Sequence, residues 1–476
     1  MQPRPISLLA TLALLHCASG SPGDTGDGTS TGAAGSVSWD SSSTDGAPTS
    51  STTTDAATTD AATTDAATID APTTDAPATD ASSGEPGTSS GDATTGGPDG
   101  ADDEALLRQA IAGEVDPADA LTTIAGRGGL PVQTGTGGFL FACLCGQGTW
   151  SLVGAHNGWV DAPMATTGPL YWAEVEIAAP DGSLYKFHDA DNDAWIADPL
   201  GRRYGFDENG RYSLVRASAA HLERWYGIAD ATLEPRNLQV YVPEDGVFTH
   251  ALYAHDGQNL FNDPDAPWGG WQLQATVPPE MLIVGIDNTP ARIDEYTHVP
   301  DIIDKDPIGG EGEAYADFID GVVRPRMEAA YGEAEVVGTM GSSLGGLIAL
   351  VIADRFPERY DMAISLSATA GWGSITEHNQ TIIERYAAAP KRDFAVYLDS
   401  GGNGPCADAD MDGIDDDSAQ AFDNYCENAQ LLGVLQDLGY SEGVDLWYVH
   451  DAGAMHNEAA WAARVDVPLD AFASLP

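Results

Sequence analysis

A strand-like run, Ala334 to Met340, leads directly into Gly341-Ser342-Ser343-Leu344-Gly345-Gly346, and an apolar helical stretch, Leu347 to Arg355, follows. This Gly-x-Ser-x-Gly turn between a strand and a helix constrains the fold more than any other feature of the chain. So sharp a turn needs backbone room beside the serine, which the glycines supply, and it projects the Ser343 hydroxyl at the N-terminus of the helix. Ser343 is therefore the candidate nucleophile. Around it, strand-like runs at Asn237 to Val242, His250 to His255, Met281 to Asp287, Phe394 to Asp399 and Asp445 to His450 alternate with longer helical stretches such as Ala314 to Tyr331. That rhythm predicts a mostly parallel α/β sheet.

A serine hydroxyl needs a base, and in this fold order the histidine follows the serine near the chain end. His450 and His456 are the only histidines after His378. His450 ends the strand, so His456, on the loop beyond it, is the expected base.

From about His221 onward the chain resembles the esterase family of α/β-hydrolases that includes enterochelin esterase-like and feruloyl esterase-like enzymes. The resemblance rests on Arg236 to Pro243, His255-Asp256-Gly257-Gln258-Asn259-Leu260-Phe261, Gly285-Ile286-Asp287-Asn288, Arg292 with Glu295-Tyr296, Gly341 to Gly346, and His456-Asn457-Glu458 with Trp461. It implies an oxyanion hole formed by the Leu344 amide and a second amide from Gln258 or Gly257. Asp256, Arg292, Glu295 and Tyr296 are expected on the substrate side, or else as an ion pair supporting the same loop. Trp372 and Trp268 are the expected lining of an acyl pocket. The third catalytic member is open. Relatives carry a carboxylate three residues after a strand-end glycine, and Gly404 holds that place here. Asp399 is the nearest replacement, Asp408 or Asp423 can enter from the following loop, and a Ser-His dyad is the remaining option.

Ahead of His221 the pattern is one of short strands, at Phe139 to Cys143, Ser151 to Gly154, Trp172 to Ile177 and Ser183 to His188, separated by Gly, Pro and Asp-Gly turns. This spacing predicts a small antiparallel sandwich. Gly154-Ala155-His156-Asn157-Gly158-Trp159, Tyr185-Lys186-Phe187, Trp195, Asp198-Pro199 and Asp207-Glu208-Asn209-Gly210 resemble the early-set domain of the glycogen-binding type. That resemblance makes Trp159 and Trp195 either a platform for sugar rings or core or turn-packing residues. A helical lead-in is expected from Asp103, and a second short helix after Asp116-Pro117.

At the N-terminus, Arg4 precedes a ten-residue apolar run from Ile6 to Leu15, too short to span a bilayer and read as an export signal over residues 1–17. Its end, Leu14-Leu15-His16-Cys17, resembles a bacterial lipoprotein box, with Cys17 as the lipidated residue; cleavage by an ordinary signal peptidase is the alternative. Residues 18–102 read as a disordered Thr/Ser/Asp/Ala/Gly tether, because such a composition buries too little apolar surface to offset its ordering entropy. The chain carries 73 Asp+Glu against 20 Lys+Arg, a formal net charge of −53. A field of that sign repels phosphate backbones and anionic headgroups, which excludes nucleic acid as a partner and leaves a lipid anchor as the expected route to a membrane.

One insertion stands out after Asp399. Asp408-Ala409-Asp410-Met411-Asp412-Gly413-Ile414-Asp415-Asp416 follows the spacing of EF-hand-type calcium loops, with side chains of Asp408, Asp410, Asp412 and Asp416 and the carbonyl of Ile414 as expected ligands. The twelfth position is Ala419, so the affinity expected is low. Cys406 and Cys426 flank the run, and in an exported chain they are expected to form a disulfide; Cys143 and Cys145 are either thiols or a short-range bridge.

The chain is thus divided into a signal (1–17), a tether (18–102), a lead-in with an early-set sandwich (103–220) and an α/β-hydrolase domain (221–476). The expected function is that of a secreted or surface-anchored serine esterase acting on glycan-linked, aryl or siderophore-type carboxylic esters. No cofactor is expected for catalysis, and calcium is expected as a structural ion. The alternatives are a catalytically inactive glycan-binding surface lipoprotein and an acyl transferase using the same residues.

Overall fold

The computed structural model describes residues 98–476 except 264, 265, 267, 268, 304, 377 and 418–421. The expected signal, Cys17, most of the tether, Trp268 and Ala419 lie outside the described residues. The first helix, Pro98–Ala112, starts within the stretch assigned to the tether. Asp116 caps the next, Pro117–Ala125, by accepting from the Ala118 amide at 2.8 Å, and Pro117 costs that helix nothing because its first N–H has no intrahelical acceptor. Leu107, Leu121 and Ile124 of these helices pack on Leu130, Leu140 and Leu170 at the edge of the sandwich.

The sandwich forms as the strand spacing predicts. One sheet holds Val132–Gln133, Phe139–Cys143, Leu170–Val175 and Ala165–Thr167. Phe141 faces Leu152, Tyr185 and Phe187 of the other sheet across a common core with Trp150. That second sheet does not stop at the sandwich. It continues through Arg203–Asp207 to His221–Ile228 and on into the C-terminal strands, giving one sheet of 14 strands. The boundary expected at residues 220/221 therefore falls inside a continuous sheet. Two arginines make the junction. Arg203 pairs with Glu223 across the strands at 3.0 Å, and the buried Arg202 donates to the carbonyls of Ala125 and Gly128 while lying 3.8 Å over the Trp225 ring.

Beyond the hairpin His221–Ile228/Arg236–Val242, the strands Met281–Ile286, His250–His255, Val336–Ser342, Met362–Leu366, Ala395–Gly401 and Leu446–Asp451 lie side by side in that order, all parallel. Met362–Leu366 is buried at every position, since both faces of the sheet are covered, and so shows no alternation in the sequence. On one face pack the helix Leu344–Arg355 and the helical stretch Gly312–Tyr331, which contains a π turn at Ile319–Val323 just ahead of Pro325, a residue with no N–H to donate. The C-terminal helix Asp466–Ala473 covers the other face through Leu469 and Phe472. From His250–His255 the chain goes first to the neighbour on one side, Met281–Ile286, and then to the neighbour on the other, Val336–Ser342. The carboxyl ends of strands at such a switch point leave a crevice.

Candidate active site

Ser343 sits at that crevice with φ 58° and ψ −124°, a strained conformation for a residue with a Cβ. Surrounding contacts enforce it. A Cβ on Gly341 would lie 2.5 Å from the Gly345 backbone, so no other residue fits there, and the Ser343 amide donates to Leu366 O at 2.9 Å. Ser343 Oγ lies 3.4 Å from Thr369 Oγ1. Leu344 begins the helix, where an N–H has no intrahelical acceptor, which places its amide where the first oxyanion donor is expected.

His456 Nδ1 lies 2.8 Å from Asp423 Oδ1. A carboxylate only accepts, so Nδ1 carries the proton and Nε2 is left as the base. The other oxygen of Asp423 receives Ser367 Oγ at 2.9 Å, the Gly401 amide and Arg464 Nη2 at 3.3 Å. Trp461 stands edge-on to the His456 ring at 5.0 Å. The structure therefore corrects the expectation for Asp399. That residue does sit at the strand end, fully buried, but its carboxylate is bound by Arg464 through Nε and Nη2, both at 3.0 Å, and by the Ser367 amide at 3.0 Å. Burial pushes its carboxyl up and Arg464 opposes that. Asp408 is likewise elsewhere, accepting from the amides of Asp412 and Gly413 at 3.0 Å each.

The turn Gly257–Asn259, which carries the Gly257 and Gln258 amides, follows directly on the strand ending at His255. A Cβ on Gly257 would lie 2.6 Å from Gly285 C and 2.8 Å from Asp287 Oδ1, which explains the glycine. The turn abuts the serine loop, since a Cβ on Gly345 would lie 3.1 Å from Asp256 Oδ2. Gln258 Oε1 accepts from the Asn288 amide at 3.1 Å.

Of the residues expected on the substrate side, Arg292 and Tyr296 hold this turn through Asp256, and Glu295 and Trp372 are engaged elsewhere in the scaffold. Arg292 donates to Asp256 through Nε and Nη2, both at 2.7 Å; burial pushes the Asp256 carboxyl up, and the Arg292 charge together with the hydrogen bonds from Arg292 and Asn288 holds it below its ordinary value. Glu295 receives Arg236 at 2.9 and 2.7 Å, and Tyr296 Oη accepts from the Asp256 amide at 3.2 Å. Glu295 and Tyr296 are buried, as is Trp372, whose Nε1 donates to Val299 O at 2.7 Å, so these do not line an open acyl pocket. Glu458 is a participant that the spacing of the motif did not single out. Asn259 Nδ2 approaches its Oε1 at 3.5 Å, joining the His456 loop to the oxyanion turn, and burial pushes its carboxyl up.

In the inserted loop, carboxylate oxygens of Asp408, Asp410 and Asp412 lie within 4.8 Å of one another. Asp416 departs from the expected set: its Oδ2 accepts from the Ala409 amide at 2.9 Å, and Ile414 buries its side chain. Cys406–Cys426 and Cys143–Cys145 are both disulfides. Trp159 and Trp195 are 40% and 45% exposed, so neither is a core residue. Trp195 stacks on His188 at 4.2 Å and lines a cavity of about 410 Å³ with Lys186, Asn209 and Tyr226.

A strained serine between a parallel strand and a helix, in a chain that also holds an imidazole against a buried carboxylate, defines an α/β-hydrolase with the fold of a serine hydrolase. Residues 230–470 match the family described as Putative esterase, and the chain belongs to that family. Among curated proteins it is similar to the uncharacterized protein YbbA of Bacillus subtilis (strain 168), 29% identical over 154 residues, which is 30% of this chain and 60% of that one. The match thus spans less than two thirds of that relative. Among solved structures it is similar to the enterobactin esterase FES from Shigella flexneri (15% identity, 71% of this chain, 93% of that chain, TM-score 0.39). It is also similar to an IroE-like serine hydrolase from Shewanella oneidensis (18% identity, 53% of this chain, 80% of that chain, TM-score 0.41).

Proposed function

We propose that this protein is an exported serine esterase that cleaves carboxylic esters through an acyl-enzyme. The observation that carries the reading is the pairing of His456 Nδ1 with Asp423 at 2.8 Å, on the loop beyond the strand neighbouring that of Asp399, in a molecule that also strains Ser343 into the elbow conformation. In this mechanism Ser343 Oγ attacks the ester carbonyl as His456 Nε2 takes its proton. The tetrahedral oxyanion is held by the Leu344 amide and by Gln258 or Gly257. His456 then protonates the leaving alcohol, and water, activated by the same imidazole, releases the acid. The glycan-linked, aryl and siderophore-type esters all satisfy this chemistry, and a panel of p-nitrophenyl and feruloyl esters ranks them.

We also propose a lipid anchor at Cys17, giving an outer-membrane or cell-surface location, and a weak calcium ion between Asp408, Asp410 and Asp412. The test of the enzymatic reading is covalent labelling with a fluorophosphonate, which reacts only with an activated serine. Wild type should label and Ser343→Ala should not, with kcat on a p-nitrophenyl ester lower by about 10⁴-fold in the variant. Absence of labelling in the folded wild type would instead favour an inactive glycan-binding surface protein.

A further inference from the structure

Arg464 lies at the centre of a buried cluster that the ester mechanism does not itself require. Its side chain is 6% exposed and Asp399 and Asp423 are 0% exposed, so two carboxylates share one cation away from water. The sharing is unequal. Asp399 takes a two-pronged bond from Nε and Nη2, whereas Asp423 takes only Nη2, at 3.3 Å. That same Nη2 is also 2.7 Å from Ser367 Oγ. Two hydrogens on Nη2 thus face three acceptors, and the bond to Asp423 is the longest of them.

Ser367 is similarly committed. Its Oγ receives Arg464 Nη2 and, at 3.1 Å, Trp461 Nε1, so its single hydrogen is left to donate to Asp423 at 2.9 Å in preference to Asp399 at 3.4 Å. Ser367 holds this place with φ 46°, a left-handed conformation for a residue with a Cβ. Trp461 and Arg464 are one helical turn apart, just past His456.

We infer that Arg464 is a positioning residue that fixes Asp423 and sets the basicity of His456, and that Asp399 opposes it by drawing Arg464 away from Asp423 and offsetting its charge. The inference rests on the esterase reading for its purpose but not for its test. A guanidinium beside Asp423 offsets the negative charge that His456 feels, so it makes the imidazolium easier to deprotonate. Asp399 offsets the guanidinium in turn. Among the described residues, Asp417, on the inserted loop, and Glu458, two residues along its own loop, also interact electrostatically with His456; none of the substitutions below touches them.

The two neighbours of Asp423 therefore push His456 in opposite directions, which a merely structural role would not do. The measurement is the titration of His456 followed by NMR on the full chain with labelled histidine, its signal assigned by its loss in His456→Gln. Arg464→Gln should raise the pKa of His456 by about 1, Arg464→Lys should stay near wild type, and Asp399→Asn should lower it. Where Arg464→Gln does not fold, Asp399→Asn decides alone, because Asp423 still provides Arg464 with a counter-ion. A shift of the same sign in Arg464→Gln and Asp399→Asn, or none in Asp399→Asn, overturns the inference. Because the readout needs no turnover, its failure is separate from a failure of fluorophosphonate labelling, which bears on the esterase reading.

Discussion

At the scale of single residues, the acid is the point on which the site depends. Asp423 keeps the proton of His456 on Nδ1, so Asp423→Asn, which offers an N–H toward the ring, should favour the wrong tautomer and lower kcat by about 10³- to 10⁴-fold with the fold intact. Asp408→Asn, compared with the parent in EGTA so that the proposed calcium site does not enter, should stay within about 2-fold, since Asp408 bonds to amides of its own loop. Steady-state kinetics on one aryl ester checks both, and equal losses in the two variants would sink the assignment. Ser343 and His456 were legible in the sequence because a local motif and the chain order locate them. Asp423 was legible only as one of several options. It arrives from a loop that leaves the strand at Gly401 and is pinned by Cys406–Cys426, and no spacing rule connects it to His456. The left-handed Asp423 and Asn424 ahead of the helix Tyr425–Asp437 are the local trace of that return. Arg292, Glu295 and Tyr296 were recognised as belonging to the site, but burial and ion pairing, which sequence does not show, make them its scaffold.

At the scale of elements, the strands that follow a Gly-rich or Pro-Glu-Asp-Gly turn were found nearly to the residue, as at His250–His255 and Phe139–Cys143. Met362–Leu366 was not, because a strand covered on both faces has the same apolar run as a buried helical turn. The inserted loop was legible by its Asp spacing, and its three clustered carboxylates repel one another at the distances seen. Calcium at millimolar concentration should therefore raise the melting temperature and EGTA should lower it. Asp410→Ala should abolish the difference, with esterase rate following stability because the same loop delivers Asp423. Melting curves that coincide with calcium, with EGTA and in Asp410→Ala would leave the loop as a solvated acidic segment.

At the scale of the whole molecule, the sandwich and the parallel block share one sheet, so the domain boundary read from the change in strand and helix pattern falls between hydrogen-bonded strands. Charge acts on this single body as a unit. Residues 18–100 hold 13 acidic side chains and no Lys or Arg, which leaves −40 of the −53 on the rest of the chain. Burial adds a more specific effect. It pushes the Asp198 carboxyl up to about 7 and that of Asp287 up to about 6, the latter with Arg224 pulling down and Asp256 and Asp263 pushing up. A carboxyl raised in the folded state holds a proton that the unfolded chain has already released, so folding stability is greatest below the unfolded value and declines as pH rises through the folded one. For these two groups the decline falls between about pH 4 and pH 7, with about 3 kcal/mol from Asp287 alone, and self-repulsion of the acidic surface adds to it in the same direction. Burial of His255 and His298, which holds them down to about 3 and about 4, works the other way, because below the free imidazole value only the unfolded chain takes up those protons; the share of Asp287 is therefore the extra fall in melting temperature from pH 5 to pH 8 that the parent shows over Asp287→Asn. Asp287→Asn, which keeps an acceptor for Gln239 Nε2, should flatten part of the slope, and added salt should flatten the part due to surface charge. Calorimetry across that range decides it: a pH dependence in Asp287→Asn equal to that of the parent removes burial of this carboxyl as a cause.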